Sequence, residues 1–186
     1  MRITGGDLRG RVLFGGSGRA VRPTLGQVRE ALFSILGPRV RGAGVLDLFA
    51  GSGALSFEAL SRGAARAVLL ERDAQALRVV RRNIDSLGLS SSAVAHLADS
   101  RRWVRSHPLQ EFELLFLDPP YAGPEGMDVL QALGDAELHP DALVVWEHAV
   151  RSGPGAPERV GRLARFLDRR YGDTGLAMYR RPGEEA

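Results

Sequence analysis

From Ala43 onward, short apolar runs alternate with stretches whose apolar residues recur every three or four positions, a pattern that predicts repeated strand–helix units. Val45-Leu46-Asp47-Leu48-Phe49 reads as a buried strand, followed by Ala50-Gly51-Ser52-Gly53 and a helix to about Leu60. Ala67 to Leu70 is the next strand. The helix after it carries Leu77, Val80, Ile84 and Leu87 on one face and closes at Gly88. Ala93 to Leu97 predicts a third strand, with a helix around Arg101 to Ser106. Phe112 to Leu117 is a fourth, running into Asp118-Pro119-Pro120-Tyr121; a helix near Met127 to Leu133 leads to a fifth, Leu143 to Trp146. From about Val160 to Arg181 the chain reads as two antiparallel strands around Tyr171-Gly172-Asp173. Such units, joined by short loops, imply an α/β fold of Rossmann-like type. Its sheet is expected to be mostly parallel and seven-stranded, with helices on both faces and a C-terminal antiparallel hairpin at the edge.

Ahead of this repeat, Arg2 to Phe14 reads as two short strands around a glycine-rich turn. A loose Gly- and Arg-rich stretch runs from Gly15 to Pro23. Thr24 then starts a helix, with Gln27 completing a capping-box pattern. Val28, Ala31, Leu32, Ile35 and Leu36 share one face, and Gly37-Pro38 stops it. The expected division is an N-terminal β-hairpin appendage over 1–23 and a main domain over 24–186.

Composition narrows the chemistry. The 186 residues are 44% apolar, enough for a buried sheet in one domain with a small appendage. No apolar stretch reaches the roughly 18 residues of a membrane span, and Met1 to Gly10 lacks a signal-peptide core, so a cytoplasmic protein is expected. Cysteine is absent. That excludes disulfides, thiolate zinc, iron–sulfur clusters and the Cys nucleophile of covalent pyrimidine C5 methylation. His96, His107, His139 and His148 lack ligand spacing, so no metal is expected. All 25 basic residues are arginine and the net charge is only +3, so attraction to a polyanion must be local.

The acidic residues are informative by position. Asp47 lies in the first strand, Glu71 ends the second, Asp99 follows the third and Asp118 ends the fourth. Spaced by about one strand–helix unit, they should converge on the carboxyl rim of the sheet, where open parallel sheets bind ligands. The Gly51-Ser52-Gly53 turn lets backbone approach a ligand. It also fits plain helix packing, and it mimics a dinucleotide fingerprint except that Ser56 stands at the third glycine. Glu71 can accept from vicinal ribose hydroxyls, or be a surface acid opening the helix at Asp73. Asp99 can accept from an adenine amine, or cap a helix from Ser100. Asp47 is expected to order the glycine loop.

Asp118-Pro119-Pro120-Tyr121 is the sharpest signal, since two prolines end the ladder and stiffen the loop. An exocyclic base amine is a poor nucleophile because its lone pair is delocalised into the ring. Asp118 and the Pro119 carbonyl, rigidly placed, can accept its hydrogens and free the lone pair. Tyr121 can stack on an extruded base.

With these features the chain resembles class I methyltransferases, and more narrowly the RsmD family of 16S rRNA guanine-N2 methyltransferases. The likeness covers Arg2-Ile3 through Arg9-Gly10-Arg11, Arg22-Pro23-Thr24 with Val28-Arg29-Glu30-Ala31-Leu32-Phe33, Asp47 through Leu55, Glu58 through Gly63, and Asp118 through Tyr121. The hairpin and the Arg-Pro-Thr helix narrow the choice within amino-methyltransferases. Leu25-Gly26-Gln27 departs from the Thr-Asp-Arg-like residues usual in the family. The resemblance implies S-adenosylmethionine lying over Ala50, Gly51 and Gly53, with Glu71 on its ribose, Asp99 near its adenine, and Thr24 and the Asp118 loop near its methionine part. Phe49 and Arg72, next to these strand ends, join the expected cofactor set. The implied substrate is guanine 966 of 16S rRNA in a partly assembled small ribosomal subunit. A monomer is expected.

Arg2, Arg9, Arg11, Arg19 and Arg22 cluster on the hairpin and its loop and form the expected RNA contact; a solvated edge hairpin is the competing reading. Arg159, Arg162, Arg165, Arg169 and Arg170 read as an exposed face, and Arg78, Arg81 and Arg82 as the polar side of a helix. DNA adenine-N6 methylation and a non-catalytic RNA-binding assembly factor are the alternatives. The first needs a target-recognition domain that this length does not accommodate. Asp118 in place of asparagine argues against protein glutamine methylation, and a nicotinamide dehydrogenase ranks last.

Overall fold

The computed structural model describes residues 1–15, 23–120, 123–150 and 155–183. The strands are β1 (Gly44–Asp47), β2 (Arg66–Glu71), β3 (Ala93–Leu97), β4 (Leu114–Leu117), β5 (Leu143–Ala149), β6 (Arg159–Val160), β7 (Leu163–Tyr171) and β8 (Thr174–Arg180). The helices are α1 (Pro23–Leu36), α2 (Ala54–Ser61), α3 (Ala74–Leu87), α4 (Ser100–Ser106) and α5 (Glu125–Asp135), with a short 3-10 turn at Gly37–Val40. They build one sheet in the order β3-β2-β1-β4-β5-β8-β7-β6. β1 to β5 pair in parallel, and β8, β7 and β6 add antiparallel strands beyond β5. The sheet therefore has eight strands, not seven. The extra one, β6, is two residues long and too short to show a period in sequence.

Burial explains the layering. β1 and β4 are buried at every position, as strands covered on both faces must be. Val45 and Phe116 face a core with α1, α2 and α3, while Leu46 and Leu115 face the opposite core with α4 and α5. Asp73 caps α3 by accepting from the Gln75 and Ala76 amides, and Gly88 closes it in a left-handed conformation. α1 begins at Pro23, so Thr24 stands inside the first turn rather than at the expected cap position. Proline suits that first position because its missing N–H has no helical partner there.

The two expected N-terminal strands form a short antiparallel hairpin around a bridge between Arg2 and Val12, with Ile3 donating to the Arg11 carbonyl, Gly10 to the Ile3 carbonyl and Leu13 to the Met1 carbonyl. Beyond Ile3 the amides go to α2: Thr4 and Gly5 donate to Glu58, Asp7 to the Ser61 carbonyl and Leu8 to the Ser61 hydroxyl. Ile3 and Leu13 join the core beside α1 and α3. Among the described residues no helix is long and apolar enough to cross a membrane.

Candidate active site

After β1 the ladder continues: the Leu48 amide donates to Phe116 and the Ala50 amide to Leu70, before the chain turns at Gly51-Ser52-Gly53 into α2. Gly51 and Gly53 hold φ of 57° and 81°, where a side chain is strained. Their surroundings differ. A Cβ on Gly53 would lie 2.3 Å from the Phe57 ring, whereas one on Gly51 would have, among the described residues, only the Phe49 carbonyl within reach, at 4.0 Å. Gly53 thus serves packing, and Gly51 faces open space.

That space is a cavity of about 260 Å³ at the switch point, where the chain leaves β1 for β2 on one side and returns to β4 on the other. Phe49, Gly51, Glu71, Arg72, Asp99, Asp118 and Pro120 all line it, over an apolar floor of Leu48, Leu70 and Val129. Parallel register places them there, since Asp47 lies opposite Leu69 and Phe116, and Glu71 opposite Leu97.

Each acid is held differently. Glu71 Oε2 accepts from the Gly51 amide at 2.9 Å and Oε1 from the Asp73 amide at 2.8 Å. Each oxygen keeps a lone pair for a ligand hydroxyl. Asp99 Oδ1 accepts from the Arg102 amide at 2.9 Å, so it caps α4 while also lining the cavity. Asp118 is half-buried at the end of β4, and buried Pro119 packs where Gly126 of α5 leaves room for it.

Asp47 lies behind the loop, not in the cavity lining. It is 1% exposed, and Oδ2 accepts from the Ser56 hydroxyl of α2 at 2.8 Å. Burial pushes its pKa up to about 6, against the opposing pull of Ser56 and the Phe49 amide. Ala50 is buried and, like Gly53, does not line the cavity. The Thr24 side chain and Tyr121 lie outside the described residues.

Sequence reasoning missed the far wall. Glu125 and Asp128 of α5 line the cavity and pair with Arg72 and Arg101. Glu125 Oε1 takes the Arg72 contact, while Oε2 is buried with no hydrogen-bond partner among the described residues. Two acids at i and i+3 right after the Asp-Pro-Pro-Tyr loop were the available signal. Overall the lining carries five carboxylates against two guanidiniums, a field that favours a cation.

Arg2, Arg9 and Arg11 are exposed on the N-terminal segment. Arg2 donates to the Gly10 carbonyl at 2.8 Å and Arg11 to the Ser86 carbonyl of α3 at 2.5 Å. Arg19 and Arg22 fall outside the described residues.

A family model described as "Conserved hypothetical protein 95" matches residues 1–180. Over 160 residues the chain is 36% identical to ribosomal RNA small subunit methyltransferase D of Escherichia coli K12, covering 82% of this chain and 77% of that protein. The chain belongs to the RsmD-type methyltransferase family. Consistent with this, it is 36% identical over 186 residues to a Bacillus subtilis protein named "Putative rRNA methyltransferase YlbH", covering 98% of this chain and all of that one. The solved structure titled "Putative methyltransferase yhhF from Escherichia coli" superimposes with a TM-score of 0.86 at 32% identity, covering 99% of each chain. The expected Rossmann-like fold of class I methyltransferases is thus the observed one in this RsmD-type chain.

Proposed function

We propose that this chain methylates the exocyclic N2 of a guanine in 16S rRNA, at position 966, in a partly assembled small subunit. In this reading the donor is S-adenosylmethionine and the chain acts as a cytoplasmic monomer. The observation that carries it is the shared cavity: Asp118 and Pro120 face the same space as Gly51 and Glu71. The residues fit such a donor. The acidic lining suits a cation, Glu71 offers two oriented acceptors to a diol, Gly51 leaves room for close approach, and Glu125 Oε2, without a partner among the described residues, can accept from a donor group. Phe49 and Asp99 complete the wall on the adenosine side, Arg72 braces Glu125, and Ala50, Gly53 and Asp47 shape the loop from behind. Thr24 is assigned to the methionine end.

Bound S-adenosylmethionine supplies an electrophilic methyl group on a sulfonium whose departure as a neutral thioether drives transfer. The protein's task is to make an aromatic amine nucleophilic. Asp118 accepts one N–H of that amine and the Pro119 carbonyl the other, which draws nitrogen away from conjugation with the ring. The two prolines hold these acceptors without further ordering cost. After alkylation the surplus N2 proton passes to Asp118 or to water. Tyr121 stacks on the extruded base, and Arg2, Arg9, Arg11, Arg19 and Arg22 hold the phosphates.

The test is to incubate the protein with methyl-labelled S-adenosylmethionine and small subunits lacking the mark, then map the labelled nucleotide. N2-methylguanosine at one site is expected; N6-methyladenosine, or no label, overturns the reading. Asp118→Ala should lower kcat by at least about 10²-fold while cofactor affinity stays largely intact.

A further inference from the structure

α3 carries a polar residue on its apolar side. Asn83 lies beside Val80 and Ile84 and is fully buried. A buried amide costs stability unless its polar atoms are used. Here they are used on backbone alone. Oδ1 accepts from the Phe14 amide at 2.8 Å, and Nδ2 donates to the Phe14 carbonyl at 3.0 Å and to the Ser52 carbonyl at 2.9 Å. The first two contacts are the pair a neighbouring strand makes to one residue, supplied just past the bridge at Val12. The third holds the glycine loop from α3, while Glu71 holds it through the Gly51 amide. Leucine makes none of these contacts, and an aspartate would set a carboxylate against two carbonyls.

We propose that Asn83 is a positioning residue that locks the N-terminal segment and the glycine loop in one register, so that order gained at either is felt at the other. The inference rests on the proposed function, which assigns the loop to cofactor and the segment to RNA. α3 grips the same segment twice more. The Arg82 guanidinium lies 3.6 Å from the centroid of the Phe14 ring, and the Ser86 carbonyl holds Arg11. Arg11 is one of the arginines assigned to phosphate, so an RNA contact and the cofactor loop are tied to a single turn of one helix. Linkage then requires that a ligand ordering the loop also order Phe14.

The experiment compares the full-length wild type with Asn83→Ala and with Val80→Ala, which removes buried volume from the same helix but none of these hydrogen bonds. S-adenosylhomocysteine is the probe, read by calorimetry, and amide hydrogen exchange reports the two segments. Asn83→Ala should weaken binding of the probe about tenfold and speed exchange at Phe14 and in residues 51–53. Val80→Ala should lower Tm with Kd unchanged within about twofold. Equal losses of affinity in the two variants, or none in Asn83→Ala, overturn the proposal. Should Asn83→Ala not fold, the wild type decides: the probe should slow exchange of the Phe14 amide, and unchanged exchange there overturns it. If these binding results hold while the wild type leaves rRNA unlabelled, the lock stands and only the RNA reading falls.

Discussion

The carboxylate of Glu71 accepts from the backbone amide of Gly51 at 2.9 Å, so the acid that ends β2 holds the loop that follows β1. Its second oxygen accepts from Asp73, which fixes the group from two sides and removes part of the ordering cost of binding. Glu71→Gln keeps the shape but must turn its NH₂ towards one of those two amide donors. Cofactor affinity should fall by about ten- to a hundredfold, with Tm changed by only about 2–4 °C. Calorimetry with S-adenosylhomocysteine reads the effect; an unchanged Kd would remove Glu71 from the binding site.

Gly51 and Gly53 should separate binding from folding. Alanine at either pays for a left-handed conformation, about 1–2 kcal/mol. At Gly51 the new methyl points into the cavity, so affinity for S-adenosylhomocysteine should collapse while the fold survives. At Gly53 it meets the buried Phe57 ring at 2.3 Å and adds overpacking, for a total of about 2–4 kcal/mol. Urea unfolding of both variants should therefore rank Gly53→Ala as the less stable. The opposite ranking would mean that the ring yields more readily than its packing implies.

The strand–helix order is legible in sequence because β1 and β4 are covered on both faces and read as continuous apolar runs. Glu71, Asp99 and Asp118 stand out because each closes or follows such a run, and the structure gathers them around one cavity. Depth is not legible: spacing does not say that Asp47 turns behind the loop onto Ser56. Glu125 and Asp128 look like ordinary first-turn acids, and their place on the wall emerges only when α5 folds back against Arg72 and Arg101. The N-terminal hairpin keeps its cross-strand bonds at Ile3, Gly10 and Leu13 but stays short, because Glu58 and Ser61, far away in sequence, take the next amides.

Glu58 is the hub of that docking. Fully buried, it accepts from the Thr4 amide and hydroxyl, the Gly5 amide, Arg29 and Arg62. Glu58→Ala leaves the buried Arg29 charge without its carboxylate partner and should cost about 3–5 kcal/mol. Burial pushes the Glu58 pKa up, but the Thr4 and Arg62 hydrogen bonds and the Arg29 charge outweigh it and hold it below its ordinary 4.5. The unfolded chain therefore takes up the proton first as pH falls. The stabilisation is whole above pH 4.5 and is lost as pH drops through the lower folded value. Urea titrations below pH 4.5 should show a steeper loss in the wild type than in Glu58→Gln, and parallel losses would refute this.

Asp47 should act with the opposite sign. Burial, aided by the nearby charge of Glu71, raises its pKa from 3.8 to about 6, although the Ser56 hydroxyl and the Phe49 and Ser56 amides pull it down. Between those two values the folded protein keeps a proton that the unfolded chain has released. Stability therefore falls as pH rises through this window, by up to about 1.4 kcal/mol per pH unit, and levels off above the folded value. Asp47→Asn does not titrate, so its unfolding free energy should climb relative to the wild type across the same window, whatever the substitution costs in absolute terms. Titrating groups that do not feel the Asp47 charge are common to both proteins and cancel in the difference. A urea series at pH 4, 5 and 6 measures the two slopes, and identical slopes would mean that Asp47 ionises in the folded protein as readily as it does in water.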